Sequence, residues 1–168
     1  MIKLKELSLL PLGEDDKEFY FKIYSNQSLM QYVTAPLTRV ESDKSFYLTL
    51  KKMSQPRPVI ILNVITLNKT KEKIGIIGLR WNQSSSDQVE IGIILLEEYQ
   101  GTGFAYAAKK ALMQEAFDNL SIKKIVAHCE KNNHAANRAN KKLCFNQVGQ
   151  YTEKNSSIVK IKWEKINE

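Results

Sequence analysis

One segment limits the folds open to this chain more than any other. An apolar run, Val89-Glu-Ile-Gly-Ile-Ile-Leu-Leu96, leads through a short acidic turn into Gln100-Gly-Thr-Gly-Phe-Ala105, which opens a helical pattern reaching Leu120. A buried strand thus feeds a Gly-rich turn and a long helix. The first turn of a helix carries N–H groups without intrahelical partners, at the positive end of the helix dipole. Gly101 and Gly103 let the backbone approach an anion with no Cβ in the way, and Thr102 is expected to add a hydroxyl donor. The pattern is that of a phosphate cradle. It lacks the Lys-Ser/Thr ending of a nucleotide-hydrolysing loop, and Tyr106 stands where a dinucleotide-binding turn has its third glycine. A glycine turn can also begin a helix with no ligand, so the motif alone leaves both readings open.

The rest of the chain alternates strand and helix patterns around this segment. Residues 2–9 alternate as one strand. Glu14 to Tyr24 reads as a helix, residues 28–32 as a short helical piece, and Glu41 to Met53 as a helix capped by Ser42 or a neighbour. Residues 59–66, 73–81 and 88–96 are rich in Ile, Val and Leu and separated by short polar turns, one of them Asn82 to Asp87, so antiparallel neighbours are expected. A strand over 122–130, a helix over 133–143 and closing strands over 145–152 and 157–163 complete the order. With no linker or repeat, the expectation is one domain over 1–168. Its class is α/β (α+β), a mixed, mostly antiparallel sheet of about seven strands flanked by about four helices.

Composition narrows the function. The only cysteines, Cys129 and Cys144, are isolated; they form neither a disulfide framework nor a zinc site and read as reduced, buried thiols. The net charge of +7 favours a polyanion or a phosphorylated ligand. The lysines come in dispersed pairs, Lys51-Lys52, Lys109-Lys110, Lys123-Lys124 and Lys141-Lys142, which read as solvated surface, so a nucleic-acid partner is not expected. No run approaches the ~20 apolar residues of a membrane helix. The first residues lack the apolar core of a signal peptide, so the cytoplasm is the expected compartment, without a membrane partner.

Two motifs carry a family resemblance. Gln100-Gly-Thr-Gly-Phe-Ala105 resembles the Gln/Arg-x-x-Gly-x-Gly/Ala signature of the GNAT acyltransferases. Asn133-His-Ala-Ala-Asn-Arg-Ala-Asn-Lys-Lys-Leu-Cys-Phe145 resembles the Asn-x-x-Ser-x-Arg-Val-x-Glu-Lys-x-Gly-Phe of that family's RimJ/RimL-type branch, as do Glu90-Ile-Gly-Ile and Leu96-Glu-Glu-Tyr-Gln. The resemblance implies acetyl-CoA as co-substrate, no metal, and acetyl transfer to a primary amine, either a protein N-terminus or a small amine. It implies that the backbone of Ile94, Leu95 and Leu96 pairs with the pantetheine arm and supplies oxyanion donors. The backbone from Gln100 through Gly101, Thr102, Gly103 and Phe104 to Ala105 would hold the pyrophosphate, with Asn133, Asn137 and Arg138 near the cofactor. The sheet should part between the strands at 89–96 and 122–130, with Gly92 as a bulge. Monomer and homodimer both remain open.

The departures matter. Ala136 replaces the motif's Ser, Cys144 its Gly, and Asn140 falls where many such enzymes carry a Tyr that protonates the leaving thiolate. That gap keeps a second reading, a non-catalytic acyl-CoA-binding module. For the base that deprotonates the amine, Glu90 is the first candidate: it shares a strand face with Gly92 and Ile94, and desolvation in an apolar run raises a carboxylate's pKa. His128 and Glu130, together on one face of the strand across the cleft, are the others.

Overall fold

The computed structural model describes residues 1–82, 85–154 and 156–167. Its frame is one sheet in the order β1-β2-β3-β4-β5-β6-β8-β7. The strands are β1 (Ile2–Lys3), β2 (Leu7–Pro11), β3 (Ile60–Leu67), β4 (Lys73–Asn82), β5 (Ser85–Leu95), β6 (Lys124–Glu130), β7 (Asn146–Thr152) and β8 (Val159–Ile166). The helices are α1 (Lys17–Tyr24), α2 (Gln27–Met30), α3 (Arg39–Met53), α4 (Phe104–Asn119) and α5 (His134–Lys142). Neighbouring strands are antiparallel except β5 and β6, which are parallel and joined by a crossover through α4. This is the mixed α/β architecture expected.

Three local readings need correction. Residues 2–9 are not one strand: Ile2 pairs with Leu9 and Lys3 with Ser8 in a small hairpin, closed by the Leu4 N–H donating to Leu7 O at 2.8 Å. No Gly or Pro marks that turn, and the split gives the eighth strand. Helix α3 is capped by Thr38, not Ser42. The Thr38 hydroxyl accepts from the Glu41 N–H, and the Glu41 carboxylate accepts from the Thr38 N–H at 2.8 Å. This reciprocal box uses both orphan groups, whereas Ser42 lies buried within the helix. Of the polar turn at 82–87, residues 83 and 84 lie outside the described residues, and Ser85 to Asp87 already belong to β5.

Strand alternation divides the interior into two layers. Val89, Ile91 and Leu95 of β5 pack with Ala108, Leu112 and Ala116 of α4 and with Ile125 and Ala127 of β6. On the opposite face, Ile94 and Leu96 join Ile76 of β4 beneath Tyr20, Ile23, Met30 and Phe46 of α1 to α3.

The parallel pair is brief. Gln88 partners Lys124, Val89 partners Ile125 and Glu90 partners Val126, after which the pairing ends. From there β5 stays with β4 and β6 stays with β8, so Ile91–Leu95 and Ala127–Glu130 flank a gap. Gly92 is not a bulge: it pairs with Gly78 in an unbroken register, and the shift in that ladder lies between Trp81 and Asn82. The parting comes from the end of the β6 ladder, not from an inserted residue.

Candidate active site

The turn at the mouth of the gap is built for an anion. Gly101 and Gly103 adopt φ of +76° and +92°, a left-handed region that other residues enter at a cost of roughly 1–2 kcal/mol. A Cβ built on either glycine meets nothing within 4 Å, so the approach to the backbone is open. Gly103 is the N-cap of α4 and offers no side-chain cap; the Phe104 N–H makes a long contact, 3.5 Å, to Thr102 Oγ1, and the N–H groups after it have no side-chain acceptor among the described residues. Thr102 plays a different part from the one expected. Its hydroxyl donates to Tyr99 O at 2.7 Å and closes the turn, so its proton is not offered to a ligand. Gln100 anchors the turn to the strand, its Nε2 donating to Leu95 O at 3.0 Å.

Of Ile94, Leu95 and Leu96, named from the sequence, the first two lie in β5 and Leu96 just beyond it, and the gap receives the backbone of Leu95 alone. The Leu96 N–H donates to Ile74 O at 2.9 Å. Alternation along an antiparallel ladder then turns the Ile94 amide toward β4 as well, and turns the backbone of Ile93 and Leu95 toward the gap. Helix α5 supplies the other side. Asn133 is its N-cap, its side chain accepting from the Ala136 N–H at 3.1 Å. Asn137 is buried and committed to the fold: its Nδ2 donates to Glu130 O at 2.9 Å and its Oδ1 accepts from Trp163 Nε1 at 2.9 Å. Arg138 is exposed. Cys144, expected to be buried, is exposed and holds φ +58° just beyond α5, which is why the motif has glycine there.

On the face opposite α4, where the β5–β6 pairing ends, lies a hollow of about 200 Å³ lined by Arg80, Trp81, Gln88, Glu90, Val126 and His128. Glu90 and His128 therefore do come together. Glu90 is exposed, so the desolvation expected for it is absent. His128 is half-buried, and burial pushes its pKa below the usual imidazole value; Lys162 and Lys160 act in the same direction, while Glu90 and Glu164 oppose them. The ring thus favours the neutral, proton-accepting form. Its Nδ1 lies 3.0 Å from the Tyr151 hydroxyl, with the two rings edge to face at 5.5 Å. Tyr151 was missed in the sequence, since β8 intervenes between β6 and β7 and no local pattern reports that insertion. Glu130 does not join this group; it borders a separate hollow with Lys131, Asn132, Ser157, Ile158 and Val159.

Another residue missed is Lys109, read above as surface. It is only 5% exposed and donates to Asn140 Oδ1 at 2.6 Å. The signal was present: it lies between Ala105, Ala108 and Leu112 on the apolar stripe of the helix.

Comparison with known proteins bears on the family and the fold. The sequence matches the acetyltransferase (GNAT) domain family over residues 6–146. An uncharacterized N-acetyltransferase of Bacillus subtilis strain 168, YoaA, is 26% identical over 150 residues, spanning 89% of this chain and 84% of its own. Spermidine N-acetyltransferase from Vibrio cholerae, solved with CoA and spermine, superposes with a TM-score of 0.85 at 22% identity, covering 97% of this chain and 96% of that one. RimL, a ribosomal L7/L12 alpha-N-protein acetyltransferase solved with CoA, superposes with a TM-score of 0.84 at 18% identity, covering 97% and 95%. With the family match spanning most of its length, the chain belongs to the acetyltransferase (GNAT) domain family and is an acyl-CoA-dependent N-acetyltransferase.

Proposed function

We propose that this chain moves an acetyl group from acetyl-CoA to a primary amine by direct attack of the amine on the thioester. The observation that carries the proposal is the open, uncapped diglycine turn of α4 at one end of a gap, with the Glu90–His128 hollow on the far face. The N–H groups from Gly101 to Ala105 would hold the diphosphate. The gap-facing backbone of Ile93 and Leu95 would run beside the pantetheine, and the Ile93 N–H would serve the developing oxyanion. Asn133, the N-cap of α5, and Arg138 within that helix would lie near the cofactor.

His128 is the proposed base. It is neutral at pH 7 by its surroundings, it faces the hollow, and the nearby Glu90 carboxylate favours the imidazolium formed when it takes a proton. An α-amine titrates near 8 and a lysine amine near 10.4, so an α-amine or a comparably acidic small amine asks least of this base. The ribosomal-protein acceptor of one structural neighbour supports the α-amine class, and the spermidine acceptor of the other supports a small amine that asks more of the base. The cytoplasm is the expected place of action; among the described residues no helix is long and apolar enough to cross a membrane.

Thiol release from acetyl-CoA across a panel of peptides with free N-termini, polyamines and small amines tests the proposal. Turnover with one class, lost in His128→Asn while CoA still binds, is the expected result. Tight uptake of acetyl-CoA with no thiol release for any amine would make the chain an acyl-CoA-binding module instead.

A further inference from the structure

By the resemblance described above, Asn140 stands where many such enzymes carry the Tyr that protonates the leaving thiolate, and in this structure Asn140 is not alone. It is fully buried, and its amide bridges two side chains: Oδ1 accepts from Lys109 Nζ at 2.6 Å and Nδ2 donates to Cys129 Sγ at 3.2 Å. An ammonium has donors and no acceptor, so only the carbonyl end of the amide can face it. Lys109 therefore fixes the orientation of Asn140 and turns its NH2 toward Cys129. Cys129 lies on the stretch of β6 that has already parted from β5, on the α4 side of the sheet. The NH2 of Asn140 and the positive charge behind it are thus directed at the margin of the gap.

The surroundings make that charge effective. Lys109 projects from α4 into the space between α5 and β6, with the Phe145 ring 5.4 Å from its Nζ. The groups around it are Asn140 from α5, the titratable Cys129 thiol from β6 and that ring; among the described residues no carboxylate pairs with it. A lone cation in a low-dielectric site acts strongly on a neighbouring anion. Burial lowers the pKa of Lys109 to about 8, which leaves it charged at pH 7, and burial raises that of the Cys129 thiol.

We infer that Lys109 is a positioning residue for acyl transfer: its buried ammonium orients the Asn140 amide and, with it, stabilises the CoA thiolate as it leaves. The inference rests on the acyl-CoA reading above. In the step concerned, the acceptor nitrogen bonds to the acetyl carbon, and the carbon–sulfur bond breaks with its electron pair passing to sulfur. The amine's proton leaves through His128 to water, and water reprotonates the thiolate. Lys109 and Asn140 exchange no proton and form no covalent bond.

The test reads the thiol itself. CoA bound to the wild-type protein is titrated with pH and the thiolate followed by its ultraviolet absorbance, with the desulfo-CoA complex as the blank. The bound thiol is expected to ionise about one unit or more below the ~8.5 of an ordinary thiol. Lys109→Met is expected to return it to the value of free CoA and to lower kcat at least ~10-fold, with CoA affinity within ~3-fold of wild type. Asn140→Leu should shift the thiol in the same direction. A wild-type bound thiol that ionises at or above the value of free CoA overturns the inference, whatever the variants do. An unchanged thiol titration in Lys109→Met overturns it equally. Failure of the wild-type protein to take up CoA is a different result: it removes the acyl-CoA reading first, and is seen by calorimetry before any titration.

Discussion

Replacing Lys109 and Asn140 together by Met and Leu should make the protein more stable while impairing the transfer step. Folding takes the Lys109 ammonium from an ordinary value of 10.5 to about 8. Each unit of that difference is worth 1.36 kcal/mol, so keeping the charge buried disfavours the folded state by about 3 kcal/mol at pH 7. Lys109→Met alone would leave Asn140 Oδ1 unpartnered in the interior, at a cost of about 1–3 kcal/mol, which offsets most of the gain. Removing both polar partners avoids that penalty. Urea unfolding at pH 7 should show the double variant more stable by about 3 kcal/mol, and its melting temperature should rise by about 6–12 °C for a chain of this size. Between pH 8 and 10.5 the unfolded wild-type chain holds one more proton at this site than the folded chain, so wild-type stability rises with pH across that window. The double variant has no such increment, and the two stabilities converge as pH rises. A variant less stable than wild type at pH 7, or a stability difference constant from pH 7 to 10.5, would refute the reasoning.

Other expectations concern the turn, the base and the end of α5. Gly103→Val forces a β-branched residue to φ +92° and sets its side chain in the open approach to the α4 N-terminus; calorimetry should show CoA affinity reduced at least ~10-fold, and equal affinity would remove the cradle assignment. Because the surroundings lower the His128 pKa, the acidic limb of kcat/KM should have its midpoint below 6.5, and His128→Asn should abolish that limb; a limb at or above 6.5 that persists in the variant would point to another base. Cys144→Gly relieves a left-handed residue at an exposed position and should raise stability by about 1 kcal/mol in urea unfolding, with turnover unchanged.

The parts of this fold legible in the sequence are those where local pattern and tertiary role coincide. The β5–turn–α4 unit was readable because burial, glycine and helix periodicity report the same geometry along one stretch of chain. The meander of β3, β4 and β5 was readable for a similar reason, as apolar runs separated by polar turns. The β1–β2 hairpin was not, because its turn contains neither Gly nor Pro and the alternation of residues 2–9 continues straight through it. At the site, Glu90 and His128 were each readable as candidates on their own strands, but not their meeting: Glu90 pairs with Val126, and His128 lies two residues further along β6 on the same face, so both line one hollow. Tyr151 could not be paired with His128, since that contact depends on β8 inserting between β6 and β7. Lys109 was misread because a lysine doublet suggests solvent, although its place on the helical stripe said otherwise. Asn137, set near the cofactor by resemblance, joins α5 to β6 and β8 through hydrogen bonds that no spacing rule reveals.

The short parallel ladder between β5 and β6 has a kinetic consequence. On the function proposed above, a rift bounded by separate strands would admit reactants from both faces of the sheet rather than from one surface. The nucleotide-bearing reactant would lie along the α4 side while the nucleophile would enter from the side of Glu90 and His128. Both would then be present at once with no acylated side chain as a go-between, and each product would depart by the door through which its parent arrived.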